Sequence, residues 1–155
     1  MKIYLFIVVS CLFFLSCDKK NKTENAVTAI PLELKVERFD KQFFETAPGD
    51  LSKLKKQYPD FFAPQINDTV WTNKMTAPIW REVYAEVEKK YPSSEGIQNS
   101  VEALVQHMKY YFPKTKTPKV ITLISDMDYN NKAIYADSLI IISLELYLGK
   151  DHKFY

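Results

Sequence analysis

The chain has 155 residues, enough for one domain with a real core, and 46% hydrophobic with 26% charged residues is ordinary globular usage. Only three glycines occur, which leaves no GxGxxG or Walker loop for a nucleotide. A formal charge of +2 offers no electrostatic footprint for nucleic acid.

The N-terminus reads as an export signal. Lys2 is a short positive region, and Ile3 to Leu15 is almost unbroken apolar sequence, interrupted by Tyr4, Ser10 and Cys11. That run is short of the roughly 20 residues a transmembrane helix needs, and fits a secretory signal peptide. It ends in Phe14-Leu15-Ser16-Cys17, which resembles the bacterial lipobox, although Phe14 replaces the usual Leu. In that motif the chain is cut between Ser16 and Cys17, and the Cys17 thiol is diacylated. Cysteine usage agrees, because Cys11 falls in the removed segment and Cys17 carries lipid, leaving no thiol for a disulfide. Two or three acyl chains suffice for stable anchoring, where one is marginal. Asp18 to Ala29 is polar and aperiodic, and reads as a flexible tether. The expected division is a signal peptide over 1–16, a lipidated cysteine and tether over 17–30, and a domain over 31–155 that continues beyond Tyr155.

Pro31 opens the domain. Leu32, Leu34 and Val36 alternate with charged residues, as in a half-buried strand at a sheet edge. Asp40 is placed to cap a short helix carrying Phe43 and Phe44. Asp50 caps another, with Leu51, Leu54 and Tyr58 on one face and Pro59 at its end. Asn67-Asp68 begins a helical turn with Val70, Trp71 and Met75. Pro78 suits a first helical position, followed by the stripe Ile79, Val83, Tyr84 and Val87. A further helix after Ser93-Ser94 presents Ile97, Val101, Leu104, Val105, Met108 and Phe112 on one face. Lys114 and Lys116 lie in the basic connector Pro113 to Pro118.

The main sheet signal follows. Val120 to Ile124, Ala133 to Ala136, and Leu139 to Ser143 are three β-rich runs. Asp126 to Asn131 holds turn-forming Asx residues, so the first two runs are expected to pair as a hairpin. Leu139 to Ile142 is apolar at consecutive positions and is expected to be the most buried strand, with Ile141 at its centre. The fold class is therefore α+β, with amphipathic helices packed on a small mixed or antiparallel sheet.

The phrases VERFDKQFF, LKKQYPDFF and QHMKYYFPKTKTPKVITLISDMDYNNKAIYADSLIIISLELYLGKDHKFY, with the lipobox, resemble the gliding-motility lipoprotein family GldB. The resemblance implies a cell-envelope lipoprotein needed for surface movement. Its partners would be the membrane, through acylated Cys17, and other envelope proteins of the motility and secretion apparatus. It also implies a distant link to zincin-like metallopeptidases, the present residues forming the N-terminal part of a larger fold. Surface-exported lipoproteins of gliding bacteria often carry an acidic tract after the cysteine; here Lys19, Lys20 and Lys22 outnumber Asp18 and Glu24, which favours the periplasmic face.

No catalytic motif or cofactor site is recognisable. A zinc helix needs two histidines one turn apart beside a glutamate, and His107 and His152 lie far apart. His107 edges an apolar stripe, where packing or hydrogen bonding is expected, and His152 lies in a polar tail, where solvation is expected. Asp126, Asp128, Asn130 and Asp137 recur with the spacing of calcium-loop ligands. Asn131 stands where that loop wants Gly, Asp137 is shorter than the usual Glu, and strands flank the segment. An Asx-rich hairpin turn accounts better for the pattern. Glu145 and Asp137 are candidate paired carboxylates. Trp71, Trp80, Tyr110 and Tyr111 suit core packing or a glycan or peptide groove. The favoured reading is a non-catalytic envelope component. The alternative is an exported zinc-dependent hydrolase whose catalytic helix lies beyond Tyr155.

Overall fold

The three apolar runs after Pro118 form strands at the positions where β-rich residues concentrate. The computed structural model describes residues 18–136 and 138–154. Six helices are present among them: α1 (Asp18–Thr28), α2 (Phe39–Glu45), α3 (Leu51–Gln57), α4 (Asp68–Thr76), α5 (Pro78–Lys90) and α6 (Glu95–Tyr111). The strands are β1 (Val36–Arg38), β2 (Lys119–Leu123), β3 (Ala133–Ala136) and β4 (Leu139–Ser143). The lipobox residues Ser16 and Cys17, and the signal segment, lie outside the described residues, as does Asp137.

The chain divides into two units. One comprises residues up to Glu33 with Ser100–Thr117; the other comprises Leu34–Asn99 with Pro118–Tyr155. In the first, α1 is helical where composition suggested an irregular tether. Its sequence has little intrinsic amphipathicity, so tertiary contact has to support it. Val27 is buried, Gln106 donates to the Ile30 carbonyl at 3.0 Å, and His107 Nε2 lies 3.4 Å from Glu24. Within this unit α6 buries Val101 and Val105, but Leu104 and Phe112, expected on the same stripe, are exposed.

The second unit holds a four-stranded mixed sheet in the order β1-β2-β4-β3. β1 sits at an edge, as its alternating charges suggested, although only Val36–Arg38 is laddered. It pairs parallel to β2, with Val36 opposite Val120 and Arg38 opposite Thr122. The expected hairpin between the first two runs does not form. β2 instead pairs parallel to β4, with Ile121 opposite Ile141, and β3 folds back antiparallel on β4. Connection length explains the difference. Only two residues separate Ala136 from Leu139, the shortest hairpin link, whereas nine separate Leu123 from Ala133. The more apolar runs, β2 and β4, take the inner positions. β3 is exposed at all four residues and takes the outer edge.

The most buried strand is β2 rather than β4. Val120, Ile121 and Thr122 are 0%, 2% and 0% exposed, whereas Ile141 and Ile142 are only half-buried. β2 has a parallel neighbour on each side, and α2 packs on it. β4 has only the exposed β3 on one flank.

The helices of this unit behave largely as their sequences direct. Asn67 caps α4, its Oδ1 accepting from Thr69 N at 2.9 Å. Pro78 takes the first position of α5, whose Val83, Tyr84 and Val87 are buried while Ile79 is exposed. Aromatic rings fill the space around α2. Phe39 meets Tyr58 at 4.9 Å, Phe43 meets Phe44 at 5.1 Å, and Phe44 stacks on Tyr84 at 5.0 Å.

Burial now ranks the core differently from the sequence. Ile121→Ala is expected to cost roughly 2–5 kcal/mol, more than Ile141→Ala, while Lys132→Ala should stay within about 0.5 kcal/mol. Denaturant unfolding of the three variants checks the order. A larger loss for Ile141→Ala would restore β4 as the principal strand.

Candidate functional site

Arg38 ends β1 and α2 begins at the next residue, so the chain turns from strand to helix beside β2. Asp40 does not cap this helix. It lies within the first turn and is 1% exposed. A carboxylate so enclosed must be partnered on every side. Arg38 Nε donates to Asp40 Oδ1 at 3.0 Å and Nη2 donates to Oδ2 at 2.7 Å. The Thr122 hydroxyl, from β2, also donates to Oδ1. Arg38 reaches α5 and its end as well, donating to Glu88 and, at 2.8 Å, to the Tyr91 carbonyl. Burial works against the charge on Arg38, but the hydrogen bonds and charges of Asp40 and Glu88 outweigh it and hold its pKa above the ordinary value.

Beside this knot, at the carboxyl end of β2, lies a pocket of about 410 Å³. Its walls are mostly aromatic, from Phe39, Phe43, Phe44, Phe61 and Trp71, and its polar rim comprises Lys74, Ser125, Asp126 and Asp128. Ligands of sheets with parallel strands commonly sit outside the carboxyl ends of those strands, and an apolar cavity with a few converging polar groups is the usual form of a small-molecule site. The Trp71 indole N–H is buried without a hydrogen-bond partner among the described residues.

The rim is held from beneath by Glu145, which follows β4 in a 3₁₀ turn (Leu144–Tyr147) and is 0% exposed. One of its carboxyl oxygens accepts from Ser125 N at 2.9 Å and from the Ser125 hydroxyl. Burial raises the Glu145 pKa, opposed by the Ser125 hydrogen bonds and the Lys74 charge. Ser125 Oγ accepts from Asp128 N at 3.3 Å. Between them Met127 adopts φ 58°, a left-handed conformation uncommon outside glycine. Such backbone is kept where its surroundings over-determine it. Lys74 Nζ donates to the Ile124 carbonyl at 3.1 Å and to Asp126 at 2.7 Å, and lies 4.7 Å from the Trp80 ring centroid. The rim groups are thus engaged with one another, an arrangement suited to holding a shape and recognising a ligand.

Of the four residues with calcium-loop spacing, Asp137 lies outside the described residues and the others meet other partners. Asp128 accepts from Asn131 Nδ2 at 2.6 Å and from Asn130 N at 3.0 Å, and the Asn131 bond lowers its pKa most. Asp126 faces Lys74 instead. The segment is an Asx-stabilised turn, and among the described residues no group of three His, Cys, Asp or Glu is placed to hold a metal ion. Neither the fold nor the comparisons below support a zincin-like extension. His107 Nδ1 lies 2.8 Å from the Ala103 carbonyl. His152 is not solvated as its polar tail suggested. It is largely buried, 3.2 Å from Glu86, and meets the Phe154 ring. Glu145 engages Ser125, and its pairing with Asp137 falls outside the described residues. Trp71 and Trp80 are partly buried in the second unit, whereas Tyr110 and Tyr111 are exposed in the first.

Sequence reasoning missed Arg38, Lys74, Thr122 and Ser125. Arg38-x-Asp40 at a strand-to-helix boundary, and Ser125 directly after an apolar strand, are the local signals. Other partners are distant: Glu88 lies 50 residues from Arg38, Asp126 52 from Lys74, Asp40 82 from Thr122 and Glu145 20 from Ser125.

Arg38→Ala strands a buried carboxylate and is expected to cost roughly 3–5 kcal/mol; Lys53→Ala, which removes an exposed pair with Asp50, serves as the near-silent control. Equal denaturant midpoints for the two would remove the knot from the account. Glu145 gives a pH signature. Because its folded pKa is raised, its contribution to stability is full below the unfolded carboxyl value of about 4.3 and declines as pH rises through the folded value. Glu145→Gln keeps an acceptor for Ser125 but does not ionise. It should gain on the parent chain between mildly acidic and neutral pH, and a flat difference across that range would contradict the assignment.

The family comparison covers most of the chain. A family model described as gliding motility protein GldB matches residues 20–155. No curated protein and no solved structure matches. The matched span takes in both structural units, and on it the chain belongs to the GldB family of gliding motility proteins.

Proposed function

We propose that this chain is a cell-envelope lipoprotein, anchored through diacylated Cys17 and facing the periplasm, that serves the gliding apparatus as a non-catalytic component through contacts with other envelope proteins. The observation that carries the reading is the family match over residues 20–155, joined at its start by the apolar run ending at Ser16-Cys17. Among the described residues no helix is long and apolar enough to cross a membrane. The lysines after Cys17 support the periplasmic face. The pocket at the end of β2, with its mutually engaged rim, supports recognition as its role. No observation favours the alternative of a zinc-dependent hydrolase.

Cys17→Ala tests the anchor. Cells fed a tagged fatty acid should label the parent protein and leave the variant unlabelled, and cells carrying only the variant should spread poorly on agar. Equal label in both proteins would end the lipoprotein reading. Lost label with unimpaired spreading would separate the anchor from motility.

A further inference from the structure

The C-terminal end of α6 exposes what a buried helix would hide. Leu104 is 54% exposed, Tyr110 40%, Tyr111 61% and Phe112 68%. Leu104 and Tyr111 are seven residues apart, two turns along one face. The Tyr110 and Tyr111 rings meet edge to face at 5.0 Å. The chain then folds into a fixed turn, in which Thr115 N donates to the Phe112 carbonyl at 2.9 Å and Lys109 Nζ to the Thr115 carbonyl at 3.0 Å. Lys114 and Lys116, both exposed, follow Phe112 within four residues, and no acidic residue occurs from Lys109 to Lys119.

We propose that this aromatic and lysine cluster is a second membrane contact, seated at the headgroup level of the bilayer that the acylated Cys17 enters. The proposal rests on the lipid-anchor reading given above. Clustered exposed apolar side chains mark an interaction surface. Their kind points to a bilayer interface. Tyr pairs an apolar ring with a polar tip, Phe supplies an insertable ring, and lysine stems lie along apolar surface while their charges meet anionic headgroups.

Position supplies the second argument. Gln106 and His107, one turn before the exposed rings, contact Ile30 and Glu24. Both partners belong to the segment that starts at Asp18, the residue after Cys17. The helical rise from Asp18 to Glu24 is about 9 Å, so the start of α1 lies within about two helical turns of the contact that ties it to α6. With the acyl chains holding the protein at the bilayer, the effective concentration of lipid at the cluster is high, and individually weak contacts suffice. The cluster then sets orientation; it does not decide whether the protein partitions.

The test uses the full chain acylated at Cys17; residues 18–155 hold no thiol. Pro113→Cys is labelled with an environment-sensitive dye and the protein is reconstituted in phosphatidylcholine–phosphatidylglycerol vesicles, with or without brominated acyl chains. The dye is expected to shift to the blue and to be quenched by the brominated lipid. Adding Tyr111→Ser and Phe112→Ser should reduce the quenching several-fold while the protein still sediments with the vesicles. Lys114→Ala with Lys116→Ala should weaken it in parallel with raised salt. Unquenched dye on an acylated, vesicle-bound chain overturns the cluster and leaves the anchor standing, as does quenching indifferent to the two ring substitutions. Dye shielded without lipid quenching assigns the cluster to a protein partner and likewise overturns it. Mass spectrometry of the Cys17 peptide reads the anchor separately, and a chain without acyl groups overturns both.

Discussion

Asp40 is a carboxylate only 1% exposed, and the local architecture follows from how its oxygens are met. Its two oxygens take two donors from Arg38 and one from Thr122. Arg38 also donates to Glu88 and to the Tyr91 carbonyl. The end of β1, the first turn of α2, the carboxyl-terminal part of β2 and the end of α5 therefore meet at one ionic knot. Buried pairs of this kind contribute little net stability against an apolar substitute, but leaving one partner alone is severely unfavourable. The knot consequently discriminates: an arrangement that moves β1 by one residue along β2, or α5 by one turn, strands a charge.

The sheet depends on the same junction. β1 enters parallel to β2, which places the start of α2 over the carboxyl end of β2. The aromatic residues of α2 then become the wall of a pocket whose rim is the loop leaving β2. Glu145 secures that loop from beneath through Ser125, and Lys74 secures it from the side through the Ile124 carbonyl and Asp126. The left-handed conformation of Met127 is tolerated because bonds on both flanks fix the backbone around it.

Aromatic residues have two fates in this chain, and the difference is physical. Around α2 the rings of Phe39, Phe43, Phe44, Tyr58 and Phe62 pack against each other and are withdrawn from water. At the end of α6, Tyr110, Tyr111 and Phe112 remain in contact with solvent, flanked by lysines. Of the first set, Phe39, Phe43 and Phe44 also wall the pocket at the end of β2. The second is the kind of surface that a protein held at a bilayer can use.

Local chemistry made several features legible in the sequence. Strand positions followed from runs of β-branched residues, helix starts from Asn67 and Pro78, and the edge placement of β1 from its alternating charges. Each depends on residues within a few positions of one another, where propensity and hydrophobic period act directly. The family was legible in whole phrases of the chain. The hairpin partner was not, because pairing is a competition among connections that only the closed sheet resolves; β3 chose β4 across two residues over β2 across nine. The most buried strand was not legible either, because β2 and β4 are similarly apolar and only their neighbours distinguish them. Asp126 and Asp128 carried a metal-like spacing; the partners they meet are Lys74, 52 residues before Asp126, and the Asn131 side chain of the same turn. Asp40 looked like a helix cap because capping is local, whereas Thr122 is 82 residues away in sequence. Burial of a charge is a property of the assembled chain, and so was the role of Asp40.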